Sequence, residues 1–147
     1  MNRREFVLAG ISTAAVGAAL TARAAEQAAP AKAAAGPGSS STLIDAAFAC
    51  IKVGQACEQH CLTLLGKGDT SLAECASSVG EMLVLCDALT RLAAQDSRHL
   101  RALAGVCGRA CRDCEKACRK HEGHHAICKQ CAEACAACAS QCEKIQA

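Results

Sequence analysis

The stretch CKQCAEACAACASQC places Cys128, Cys131, Cys135, Cys138 and Cys142 at separations that alternate between three and four residues. At about 100° per residue these five positions fall within an arc of about 80° on a helix. They climb about 21 Å along it at 1.5 Å per residue. One face of that helix is therefore a ladder of sulfur. Cys50, Cys57 and Cys61 repeat the pattern, as do Cys75 and Cys86, and again Cys107, Cys111, Cys114 and Cys118. Each of these sets spans an arc of about 60° or less. Leu43, Val79, Met82, Leu89 and Leu103 lie near the same stripes, whereas Lys52, Glu58, Arg91, Arg112, Lys116, Lys129 and Glu133 lie away from them. The cysteines thus occupy the core positions of amphipathic helices.

From Thr42 onward the chain has no proline, and Ala and Leu dominate, which favours helix throughout. "GKGD" at Gly66–Asp69 breaks the first helix, and Ser71-Leu72-Ala73-Glu74 has the form of a capping box that starts the second. "AAQDS" ends that helix, with Asp96 or Ser97 as the next N-cap. "KHEGHH" around Gly123 separates the third helix from the fourth. The expected helices are Thr42–Leu65, Thr70–Ala94, Ser97–Lys120 and His124–Ile145. Four helices of similar length with short loops predict an all-α, up-down-up-down antiparallel four-helix bundle. At 147 residues the chain has room for one domain, here 42–147.

The N-terminus reads as a targeting segment. Arg3 and Arg4, then Phe6 and Val7, precede the mildly apolar "LAGISTAAVGAAL", and Ala22-Arg23-Ala24 offers a small-x-small cleavage site. The apolar run is too short and too rich in Ala and Gly for a membrane span. Residues 1–24 are expected to be a twin-arginine signal, and the protein exported to the periplasm. Residues 25–41, rich in Ala, Pro, Gly and Ser, are expected to be a flexible linker.

Fourteen inward cysteines demand a purpose beyond packing, because Leu at those positions would bury more apolar area. A disulfide scaffold fits poorly. Residues at i,i+3 or i,i+4 on a helix hold their Cβ atoms about 5–6 Å apart, whereas a disulfide needs about 3.5–4.5 Å. Metal binding fits best. Zinc prefers closed tetrahedral sites. Several stacked tetrathiolates, each with two net negative charges, would be costly in a dry core. Cu(I) is soft and monovalent, and thiolates select it. If each Cu(I) takes two thiolates and each thiolate bridges two ions, metal and thiolate charges cancel along the core. Iron–sulfur and c-type haem motifs are absent from the sequence. A net charge of +2 with neither a long basic run nor an aromatic platform argues against nucleic-acid binding. No acid–base or nucleophile constellation is visible, so no enzymatic activity is expected.

From about Ala46 to Lys144 the chain resembles the bacterial copper storage proteins, four-helix bundles with cysteine-lined cores. "CIKVGQACEQHC", "GDTSLAECASSVGEMLVLCDAL" and "CKQCAEACAACASQCEK" carry the resemblance. It implies storage of many Cu(I) ions, on the order of one per cysteine, with all fourteen cysteines as ligands. The leader matches the exported branch of the family. That branch has methionines at the open end of the bundle, whereas "HCLTLLGKGDTSL" has leucine and polar residues there, so a Met-lined mouth is not carried over.

Further candidate ligands are His60, His121, His124 and His125, gathered by the topology at one end of the bundle, where ions would enter and leave. His99 stands alone at the other end and reads as a solvated surface residue. Met82 lies between Cys75 and Cys86 on the same stripe, as core filler or as a thioether ligand. The partners such a role requires are copper ions and a copper donor or recipient protein; homo-oligomerisation is left open. The competing reading from another class is a structural or redox protein with cross-helix disulfides, or a multi-zinc thiolate protein.

Overall fold

The computed structural model describes residues 37–147; the expected signal segment and residues 25–36 of the expected linker lie outside the described residues. Four helices form in chain order: α1 (Pro37–Leu65), α2 (Ala73–Ala94), α3 (Leu100–Arg119) and α4 (Ala126–Gln146). α1 packs on α2 and α4, and α3 packs on the same two, so the helices form a closed square. Diagonal partners meet only through core side chains. This is the expected up-down-up-down bundle.

The helix ends differ from expectation for local reasons. α1 starts at Pro37 rather than Thr42. Proline is tolerated in a helix's first turn because its missing N–H would have no intrahelical partner there. Residues 37–41, expected as linker, therefore join the helix. The capping box at Ser71 does not form. Asp69 acts first, its carboxylate accepting from the Ser71 amide at 3.0 Å, and Thr70–Leu72 winds as a 3-10 turn ahead of α2. Glu74 is thereby released to pair with Lys120 at 2.8 Å. Before α3, Asp96 takes a left-handed φ of 47°, and the Ser97 hydroxyl accepts from the His99 amide at 3.2 Å, which delays the helix to Leu100.

Leu43, Leu89, Leu100 and Ile145 are all buried at the end of the bundle away from the histidines, where they form an apolar plug. Each such side chain contributes about 1.5–3 kcal/mol on full burial. Phe48 is 57% exposed and takes no part in the core. Its Cα lies two residues before Cys50, about 200° around the helix, so a stripe that turns the thiol inward turns the ring outward. Small residues let the helices approach closely. A Cβ on Gly108 would stand 3.1 Å from the Cys142 Cβ, and Ala132 and Ala139 are fully buried on α4.

Candidate metal centre

All fourteen cysteines are free and buried, with Cys142 the most accessible at 1%. The four helices aim their sulfur stripes at one axis, so thiols far apart in sequence come together in space. Near the histidine end, Cys57, Cys61, Cys75 and Cys128 form one group, with all sulfur atoms within 4.8 Å of one another. Cys57, Cys118 and Cys131 form the next, followed by Cys114, Cys131 and Cys135. Towards the plug lie Cys50, Cys86, Cys111 and Cys138, then Cys107, Cys138 and Cys142. Shared members chain the groups within each half, and the 3.5 Å contact between the Cys50 and Cys135 sulfurs joins the halves.

Other sulfur–sulfur distances run from 3.4 Å for Cys75–Cys118 to 4.0 Å for Cys57–Cys128. A disulfide bond would be about 2.05 Å, so these are separate thiols. Two ligands at about 2.3 Å from one ion stand at most about 4.6 Å apart, so these separations suit metal-bridged pairs. Among the described residues the buried polar side chains are Ser40 and Thr90, and no Lys or Arg is buried. Thiolates formed here would have no protein cation to balance them. A monovalent metal supplies that charge one for one, whereas the four-thiol groups closed around zinc would each keep two net negative charges in the core.

Burial shapes the thiols' acidity. It pushes Cys61 up to about 12 and Cys128 up to about 11, with the neighbouring Cys75 sulfur adding to both shifts. Cys75 is pulled down to about 3, because hydrogen bonding with its thiol neighbours, first of all Cys118 at 3.4 Å, favours its thiolate.

Above this first group sit the histidines. His60 Nε2 lies 3.0 Å from His125 Nδ1, and the His121 ring centroid is 6.4 Å from that of His125. These three are half-buried, whereas His124 is exposed and stands apart from them. The turn before α4 explains the difference: the His124 and His125 amides both donate to the His121 carbonyl, and the chain then becomes extended at His125. His99 is exposed at the plugged end, beside Arg98. Asp69 also belongs to the histidine end, although its position in the sequence did not single it out. The Ser71 side chain and amide hold its carboxyl below the usual range, and His125 and His121 add to that. Its place as an N-cap before "TSL" is the signal that could have found it. Met82 is fully buried, with its Sδ 3.4 Å from the Cys50 Sγ.

The copper storage protein family profile matches residues 38–147. The chain belongs to the copper storage protein family. Among its relatives, the cysteine-rich protein YhjQ of Bacillus subtilis is 30% identical over 101 residues, covering 67% of this chain and 91% of that protein. The Cu(I)-bound copper storage protein BsCsp3 of Bacillus subtilis superposes with a TM-score of 0.66 at 28% identity, covering 74% of this chain and 99% of that one. A cytosolic copper storage protein of Streptomyces lividans, loaded with five coppers, gives 0.68 at 25% identity, covering 74% and 92%. No helix among the described residues of this copper storage protein is long and apolar enough to cross a membrane.

The Streptomyces lividans neighbour overturns the expected export. The Streptomyces lividans protein is cytosolic, and the comparison points away from the twin-arginine route and the periplasm.

Proposed function

We propose that this protein stores Cu(I) in its core on Cys50, Cys57, Cys61, Cys75, Cys86, Cys107, Cys111, Cys114, Cys118, Cys128, Cys131, Cys135, Cys138 and Cys142, acting as thiolate ligands. The observation that carries the reading is the continuity of the sulfur ladder. Its five groups take in every cysteine, and each half is linked without a gap wider than one metal ion bridges. A chaperone that delivers one ion needs one such group, whereas a store needs many. Each ion displaces thiol protons as it binds, and its charge offsets the thiolates that remain.

Ions enter and leave at the histidine end. His60 and His125 stand over the group containing Cys61 and Cys128, while Leu43, Leu89, Leu100 and Ile145 seal the other end. A neutral imidazole nitrogen is a copper ligand. His121 and Asp69 complete the mouth, and His124 plays no direct part. A copper donor or recipient would dock at this end.

Anaerobic titration with Cu(I) in competition with a strong chelator, alongside a thiol count, tests the proposal. The protein should take up on the order of a dozen ions. Saturation at one to three equivalents rejects storage, and pairing of the native thiols into disulfides favours the structural or redox alternative.

A further inference from the structure

Sulfur is unevenly distributed along the bundle. Between Cys57 and Cys50 on α1 the inward position is Gly54, and between Cys75 and Cys86 on α2 the fully buried positions are Val79 and Met82. α3 and α4 have no such gap, with Cys111, Cys114, Cys131 and Cys135 spanning the middle of the bundle. The two halves of the ladder are joined there by the Cys50–Cys135 contact at 3.5 Å. Met82 Sδ stands against that junction, 3.4 Å from Cys50 Sγ.

Its place there depends on the glycine opposite. A Cβ on Gly54 would stand 2.7 Å from Met82 Cε and 2.9 Å from Leu83 Cδ2. The absent side chain on α1 is what lets the thioether of α2 lie inward. Simple filling would be served by Leu, and would not require the sulfur to face the Cys50 thiol. In the metal-free protein that thiol donates its proton to the Met82 lone pair. A Cu(I) ion that replaces the proton meets the same lone pair.

We propose that Met82 is a fifteenth sulfur donor, a neutral third ligand to a Cu(I) ion held by the thiolates of Cys50 and Cys135 where the two halves of the ladder meet. This rests on the storage reading above. Binding expels the protons of Cys50 and Cys135 to solvent, while Met82 gives a lone pair and loses no proton. The site keeps a net charge of −1, whereas a third thiolate would make it −2. Three ligands at about 2.3 Å and 120° stand about 4.0 Å apart, so the pair must open by about half an ångström. The flexible Met side chain accommodates such a shift.

The chain has two methionines, Met1 and Met82, so selenomethionine gives selenium one position in the bundle. Selenium-edge X-ray absorption of the full-length, copper-loaded selenomethionine protein should show a selenium–copper shell at bonding distance. That shell should be absent from the copper-free protein and from Met82→Leu. A protein holding about a dozen copper ions without the shell, or a shell that survives in Met82→Leu, overturns the role of Met82 and leaves storage intact. A wild-type protein that saturates at one to three ions overturns storage, and this inference with it.

Discussion

His60 Nε2 and His125 Nδ1 lie 3.0 Å apart, joining the penultimate turn of α1 to the residue that precedes α4. Each histidine neighbours, in sequence or within one helical turn, a thiol of the outermost group, Cys61 and Cys128. The pair spans the mouth of the sulfur ladder.

Replacing His60 and His125 by Ala should therefore slow copper removal by a chelator, while total capacity stays within about one ion of wild type. His124→Ala and His99→Ala should leave the rate unchanged. Stopped-flow measurement of chelator-driven release checks this. Wild-type rates in the double variant, with slowing in His99→Ala, would move the mouth to the plugged end.

Copper should stabilise the fold strongly. Between the leucine plug and Leu72 the core is mostly thiols and alanines, with Val79 and Met82, and its small side chains bury less apolar area than Leu would. A ligand present at about 1,000 times its Kd adds about 4 kcal/mol at one site, which corresponds to a rise of about 15 °C or more in a domain of this size. Scanning calorimetry on apo and loaded protein measures it. Equal melting temperatures would place the metal outside the folded core.

Stability of the apo-protein should fall in alkali. Cys61 and Cys128 have folded values raised to about 12 and about 11, above the ordinary value of 9.0. Folding therefore favours their neutral thiols. This contribution is complete below about pH 9 and is lost as pH rises towards about 11–12, where the unfolded chain ionises first. Melting temperatures taken across that window should decline for apo-protein. They should decline much less for the copper form, whose thiolates are already deprotonated.

Gly54→Ala should destabilise the apo-protein by about 1 kcal/mol. Alanine contributes about 1 kcal/mol through helix propensity. Against that, its Cβ would fall below 3.0 Å from both Met82 and Leu83, and overpacking of this kind costs about 1–3 kcal/mol. Urea denaturation decides the sign. A gain in stability would show that Met82 swings aside freely.

The bundle and the inward thiols were legible because both are periodic. The spacing of Cys128 to Cys142 at helical intervals dictates a face, and a face of thiols with charged residues such as Lys129 and Glu133 off it dictates a core. Glycine and polar breaks at Gly66, Asp96 and Gly123 set the number of helices. Helix starts were less legible, since Asp69, Ser71, Asp96 and Ser97 all have capping chemistry and compete for the same amides. The N-terminal arginines suggested a destination that the cytosolic Streptomyces lividans neighbour does not share.

What the chain determined alone is therefore one-dimensional: which residues share a stripe, and that sulfur dominates it. Which thiol meets which was decided only when four stripes closed on one axis. Cys50 and Cys135 are 85 residues apart, and no local spacing encodes their contact. The same closure brought His60 against His125 and set Met82 against Cys50 through the space left at Gly54. These are distances between helices. They depend on how side-chain volumes from different helices fill a shared interior, and periodicity within one helix says nothing about that.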